Sequence, residues 1–288
     1  MDKTDNFYEE AFARNKGLIS DSDQAKLRNA RVAIAGLGGV GGVYLTGLAR
    51  LGIGKFNIAD NDTFELVNLN RQAGAFVSTV GQSKVEVMQR VAEDINPYLD
   101  VRTFNKGIDS KNIDEFLTNV DVVMDGIDFF NMKDRLLLFQ KSREHKIPVV
   151  SSAPIGFGAT LLTFDPDKMT FEEYFDIRED QSEEEQLLQF GLGLSPSLIH
   201  RKYYPPNLLN FKEKKAPSAS LSVLLCANMA STQVFKIITG RKYFTAPTSI
   251  QFDPFVEKLR RFYLWRGNKN PIQKIKKWFV KRKLSSYG

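Results

Sequence analysis

Short apolar runs alternate with amphipathic stretches through the first half of the chain. Residues 31–35, 55–59, 101–104, 121–124 and 147–151 read as short strands. Helical spacing recurs between them. Ser20 is placed to cap a helix running to residue 29, with Asp21 and Asp23 in its first turn. Residues 43–51 continue as a helix out of a glycine-rich turn. Ser83 precedes a helix carrying Val85, Met88, Ala92 and Ile95 on one face, with Pro97 just beyond it. Residues 112–118 and 131–144 complete the series. Strict alternation of strand and helix predicts parallel strands with helices on both faces, the α/β class.

The rhythm breaks in the second half. Residues 155–164 read as an antiparallel-type strand with two glycines, 172–186 as an acidic solvated face, and 187–217 as irregular and proline-punctuated. A long, mostly apolar helix follows over 219–239, ended by Gly240, and then two short strands over 249–252 and 258–265. The expected architecture is a Rossmann-like, mainly parallel sheet, extended by antiparallel strands and a C-terminal basic helix. It divides into an N-terminal arm and helix (1–30) and a nucleotide-binding half (31–165). A crossover loop and long helix (166–254) complete the same domain, and a basic tail (255–288) follows.

Charge sharpens that last boundary. The 288-residue chain carries +6 at neutral pH, but residues 255–288 hold eleven Lys and Arg against Glu257, a net +10 that leaves −4 for the remainder. In the tail, Ile272, Ile275 and Phe279 follow i, i+3, i+7 among lysines, with Trp278 beside them. Such a helix suits an anionic membrane surface or an acidic partner; docked on the protein's own body, it would turn its lysines outward. No nucleic-acid recognition motif accompanies the charge. Cys226 is the lone cysteine, which excludes an internal disulfide and a four-cysteine zinc site. The acidic, polar first residues lack the regions of a signal peptide, and no apolar run is expected to cross a bilayer, so the expected location is cytoplasmic.

Candidate chemistry starts at Val32, in V-A-I-A-G-L-G-G-V-G-G. Gly36, Gly38 and Gly41 form G-x-G-x-x-G between a strand and a helix, and Gly39 loosens the turn further. The first glycine permits the tight turn, the second lets backbone N–H groups approach a phosphate, and the third lets helix pack on strand. Asp60 ends the next strand, where an acid binds ribose hydroxyls. NAD would satisfy these features. The following cluster asks for more: Asn68, Asn70, Arg71 and Gln72, then Lys84 at the first turn of a helix. An arginine and a lysine at one phosphate site suit a triphosphate being cleaved, where charge builds on departing pyrophosphate. Asp125 and Asp128 end the fourth strand, at the ligand crevice of an open parallel sheet, where a carboxylate can hold Mg²⁺ between phosphates.

In order, G-L-G-G-V-G-G, A-D-N-D, N-L-N-R-Q, S-K-V-E-V, I-N-P and M-D-G-I-D resemble the ubiquitin-activating-enzyme-like adenylyltransferases of the ThiF and MoeB type. The resemblance covers residues 14–158 and returns over 220–240. It implies a homodimer that binds ATP·Mg²⁺ and transfers AMP to a carboxylate, often the C-terminus of a small protein or peptide. It puts Gly36, Gly38, Gly39 and Gly41 at the phosphates, Asp60 at the ribose, Asn68, Arg71 and Lys84 on the triphosphate with Gln72 nearby, and Asp128 at the metal. Arg14, in A-R-N-K-G, resembles the arginine that reaches into a neighbouring subunit's site. The chain departs from the family in three ways. It has no cysteine pairs for zinc and no cysteine in the crossover loop to accept the acyl group, and the usual Asp-Asn pair reads Asp128-Phe129. Cys226 reads as a small buried hydrophobe, so the acyl adenylate is expected to pass to an external nucleophile. A nucleotide-binding scaffold without turnover and an NAD-dependent oxidoreductase are the alternatives. His145 and His200 have no Ser or Cys partner at recognisable spacing.

Overall fold

The structure, a computed structural model, describes residues 3–204 and 216–284. Part of the expected irregular stretch, 205–215, and the end of the basic tail, 285–288, lie outside the described residues. The chain forms two compact units. Residues 1–127 and 227–243 make the first, and residues 128–226 and 244–288 the second.

In the first unit β1 (Arg31–Ala35), β2 (Lys55–Ala59), β3 (Asp100–Phe104) and β4 (Val122–Asp125) are parallel and ordered β3-β2-β1-β4. Every residue of β1 is buried, as a strand covered on both faces must be, whereas β3 at the edge is mostly exposed. Ala35 pairs with both Ala59 and Asp125, so the carboxyl ends of β1, β2 and β4 are level. The helices are α1 (Lys3–Ala11), α2 (Asp21–Asn29), α3 (Gly39–Leu51), α4 (Lys84–Ile95) and the short α5 (Ile113–Phe116). Ser20 caps α2 as its sequence predicts, accepting the Asp23 N–H at 3.2 Å. Helix α3 buries Leu45, Leu48 and Ala49 and stops at Gly52, which takes the left-handed φ of +96°. Helix α1 has no sequence signal of its own. It is fixed by tertiary contact: Tyr8 is buried and its hydroxyl accepts from Asn96 Nδ2 at 2.9 Å.

The second unit holds β5 (Val149–Ile155), β6 (Gly158–Phe164), β7 (Thr248–Asp253) and β8 (Lys258–Tyr263), each antiparallel to the next. Its helices are α6 (Met132–Glu144), α7 (Phe171–Phe175), α8 (Glu183–Leu194) and α10 (Pro271–Leu284). Phe139, Phe164, Phe171, Phe175 and Phe190 pack as a ring cluster, the nearest pair, Phe139 and Phe171, with centroids 4.3 Å apart. Helix α8 corrects the expected acidic face and irregular stretch. Ser182 caps it, Glu183, Glu184 and Glu185 complement the positive end of its dipole, and Leu187, Leu188, Phe190, Leu192 and Leu194 are buried.

Helix α9 (Ser220–Ile238) contributes residues to Cys226 to the second unit and residues from Ala227 to the first. It also corrects the expectation that no run is apolar enough to cross a bilayer. It has 19 residues and a window of mean hydropathy 1.5, long and apolar enough by length and composition, with 39% of that window buried. Its buried residues include polar Ser222 and Gln233 beside Val223, Ala230 and Val234.

Candidate nucleotide site

The order β3-β2-β1-β4 reverses direction between β1 and β4, and ligands of open α/β sheets sit outside the strand ends at such a point. Three glycines interlock there. Gly36 leaves β1 with φ +86°, and a Cβ on it would lie 2.3 Å from the Gly126 carbonyl oxygen. A Cβ on Gly41 would lie 1.8 Å from the Gly36 oxygen, and one on Gly126, just past β4, 2.5 Å from the same atom. Hydrogen bonds pin the contact: Gly36 N–H donates to Ala59 O and Gly126 N–H to Ala35 O, both at 2.8 Å. Sequence reasoning singled out Gly36 and Gly41 but passed over Gly126. G-x-G-x-x-G is a local pattern, and Gly126 meets it only through the sheet.

Helix α3 begins at Gly39, four residues earlier than expected, so Gly39 and Gly41 lie within its first turn. Gly38 is its N-cap and supplies no side-chain hydrogen bond, so the first-turn N–H groups keep their donors for an anion. Gln72 lies beside this turn: a Cβ on Gly38 would sit 3.6 Å from Gln72 Nε2. Gln72 is 8% exposed, yet its Oε1 has no hydrogen-bond partner among the described residues. A buried orphan acceptor is costly and is what a ligand or its water would satisfy.

Asp60, at the end of β2, spans the turn. One carboxylate oxygen accepts Leu37 N–H at 2.6 Å and the other accepts Asp62 N–H at 2.9 Å. Each retains lone-pair capacity for a hydroxyl. Asn68 is buried, and its Oδ1 caps its own 3₁₀ turn by accepting Glu65 N–H at 2.9 Å. Asn70 is exposed. Arg71 is half-buried, with its guanidinium on that turn, donating to Val67 O at 3.1 Å and Asn70 Oδ1 at 2.9 Å. Lys84 is unlike these. It opens α4, where the dipole disfavours a cation, and it is 6% exposed. Its Nζ pairs with Asp62 at 2.9 Å, a carboxylate with most of its surface in water. Asp62 is a partner that the sequence reading missed, 22 residues away in the chain.

Asp125 ends β4 in the first unit; Asp128 opens the second, three residues later. Asp128 is exposed. Its Oδ1 accepts Phe130 N–H at 2.9 Å, and Oδ2 is unengaged among the described residues. Its carbonyl and that of Phe129 accept from Arg135, at 3.2 and 3.4 Å. Arg135 is 2% exposed and stacks on the Phe190 ring at 4.5 Å. It fixes the loop that presents Asp128, a role overlooked in sequence although it is a charge on the buried face of α6. Phe129 also packs on Phe190, with centroids 5.3 Å apart. Arg14 lies exposed on a 3₁₀ turn of the first unit.

Cys226 is fully buried, and burial pushes its thiol up to about 12, so it stays protonated. His145 follows α6 as its C-cap. His200 departs from expectation: its Nδ1 is 3.1 Å from Ser195 Oγ, which also accepts from Gln251 Nε2 at 3.0 Å. Burial lowers the ring to about 4 against the opposing pull of Asp253, which leaves a neutral imidazole. With Ser195 at 4% exposure, the pair fastens a loop to β7.

The chain is similar to several characterised proteins. Over 142 residues the chain is 34% identical to the tRNA threonylcarbamoyladenosine dehydratase of Bacillus subtilis, covering 49% of this chain and 55% of that protein. Over 172 residues it is 30% identical to the molybdopterin-synthase adenylyltransferase of Haemophilus influenzae, covering 58% and 70%. The matched stretch thus spans little more than half of the dehydratase. Two solved structures share the fold. PaaA aligns with TM-score 0.65 and 19% identity over 90% of this chain and 72% of that one; Escherichia coli MccB with ATP aligns with TM-score 0.62 and 21% identity over 85% and 67%. The ThiF family itself is matched from residue 12 to residue 273, through both units, and the chain belongs to that family.

Proposed function

We propose that this protein adenylates a carboxylate at the expense of ATP, the acid being the C-terminus of a peptide or small protein or a small carboxylic acid. The observation that carries this reading is Lys84. A buried cation at the positive end of a helix, matched by one largely solvated carboxylate, is electrostatically expensive until a polyanion arrives. An orphan Gln72 acceptor and uncapped α3 N–H groups beside the glycine turn support it. The molybdopterin-synthase adenylyltransferase match and the MccB structure with ATP add support from outside the chain.

In this reading the first-turn amides of α3 hold phosphate oxygens and Asp60 accepts from the ribose. A carboxylate oxygen attacks the α-phosphorus, the bond to the bridging oxygen of pyrophosphate breaks, and an acyl adenylate forms. Lys84 neutralises the departing pyrophosphate, joined by Arg71 once it leaves Val67 O. Asp128, through its open carboxylate oxygen, would suit Mg²⁺ as one oxygen ligand, and the ion would supply charge neutralisation at the phosphates. The buried Cys226 thiol is unsuited to accept the acyl group, so an external nucleophile does. A second copy of the chain, covering the exposed apolar residues Leu66, Val67, Phe76 and Val77, would bring Arg14 to a neighbouring site.

Calorimetric titration with ATP·Mg²⁺ and separately with NAD tests the assignment. ATP binding that needs Mg²⁺ and falls at least about tenfold in Lys84→Met is expected. The same variant should keep or raise its melting temperature, since the substitution removes a buried cation from a helix N-terminus. NAD binding without an ATP response overturns the reading.

A further inference from the structure

The C-terminal helix α10 docks on the body, but with the faces reversed from the docked arrangement that its sequence suggests. Its polar side faces the protein. Gln273 is buried and donates to Leu192 O at 3.2 Å, Lys276 bonds Pro196 O, and Lys277 and Lys281 both pair with Glu185. Its apolar side faces out, with Ile272, Ile275, Trp278 and Phe279 each more than half exposed. Lys276, Lys277 and Lys281, which the self-docked alternative would turn outward, are instead spent on anchoring, and four large apolar side chains are left in water. Isolated exposed apolar residues are ordinary, but a contiguous apolar helix face ringed by cations is a contact surface.

We infer that α10 is a membrane-surface anchor, laying Ile272, Ile275, Trp278 and Phe279 into the interface of an anionic bilayer. Charge selects the occupant. Lys274 and Arg282, both exposed, lie beside the apolar face, within a segment of net +10. That favours an anionic surface and opposes a second copy of the same cationic face. Shape selects it too: a bilayer accepts a single convex helix face, whereas a peptide partner is normally held in a groove. Trp and Phe are among the residues that form the buried face of interfacial helices, and Trp also settles at the headgroup level.

The chain's own fluorescence reads the test, because its two tryptophans, Trp265 and Trp278, are both more than half exposed on this part of the second unit. The full chain is mixed with phosphatidylcholine vesicles with and without phosphatidylglycerol. Expected are a blue-shifted emission and cosedimentation with the anionic vesicles, at least about tenfold stronger than with neutral ones and weakened by salt. Ile275→Ser with Phe279→Ser should abolish both at unchanged melting temperature. Lys274→Glu with Arg282→Glu should abolish the anionic preference, and it serves as the test if the serine variant unfolds. Equal binding to neutral vesicles, no binding, or binding unchanged in both variants overturns the inference. So does self-association without vesicles that the serine variant removes, which would assign the face to a second copy. An equal response to polyglutamate would assign it to an acidic protein.

Discussion

Gly126→Ala probes the contact that tertiary structure adds to the glycine motif. The new Cβ would lie 2.5 Å from Gly36 O, 3.0 Å from Ala35 O and 3.2 Å from Gly41 Cα. Ordinary contact begins near 3.4 Å, so backbone must retreat by about 0.9 Å. All three neighbours are main chain and cannot swing aside as a side chain would, and both Gly36 and Gly126 are held by 2.8 Å hydrogen bonds into the sheet. Overpacking of this kind costs roughly 1–3 kcal/mol, or about 2–12 °C in melting temperature at 2–4 °C per kcal/mol. The retreat also moves the α3 amides by a large fraction of a hydrogen-bond length, so ATP affinity should fall at least about tenfold. Calorimetry of the variant with and without ATP·Mg²⁺ measures both. Gly47→Ala is the control on the same helix: its Cβ meets nothing nearer than Ser231 Oγ at 3.9 Å, so it should stabilise by about 0.5–1 kcal/mol. A Gly126→Ala protein with wild-type melting temperature and ATP affinity would refute the reasoning.

Three further outcomes are expected. Asp60→Ala leaves the Leu37 and Asp62 amides without their acceptor; a loss of about 1.5–3 kcal/mol in chemical denaturation is expected, together with weakened ATP binding. Hydrogen bonds from Arg241 and Ser20 hold the Asp23 carboxyl at about 2. A depressed carboxyl stabilises above its unfolded value near 4 and loses that contribution as pH falls toward 2. Asp23→Asn should therefore flatten the pH dependence of melting in that window and leave it alone near neutrality. His200 works over a higher range. With its ring lowered to about 4, the unfolded chain binds the extra proton first, so stability should decline from pH 6.5 to 4. His200→Gln should remove that slope, seen in the pH dependence of the denaturation midpoint.

Much of the first unit was legible in the sequence because its signals are local. Strands β1 and β2 are short apolar runs between turn residues, Ser20 and Ser83 sit immediately before their helices, and Gly52 follows the end of α3. The glycines and Asp60 were readable for the same reason, each at a fixed distance from a strand end, whereas Gln72 stood out only as part of a polar cluster. What failed needed a partner from elsewhere. Helix α1 depends on Tyr8 reaching Asn96, and α8 on an aromatic cluster drawn from four elements. Asp62 under Lys84, Gly126 under Gly36, and Arg135 behind Asp128 are contacts that no spacing rule encodes.

The sequence by itself determined the strand–helix order from β1 to β4, the nucleotide-type turn and the amphipathic character of the tail. It could not determine which side of that tail faces water. Helical periodicity defines two faces and is silent about which one the protein covers. Tertiary structure decided it, because Glu185, Pro196 and Leu192 present carboxylate and carbonyl oxygens to α10, and these accept from lysine and glutamine but offer nothing to Trp278 and Phe279.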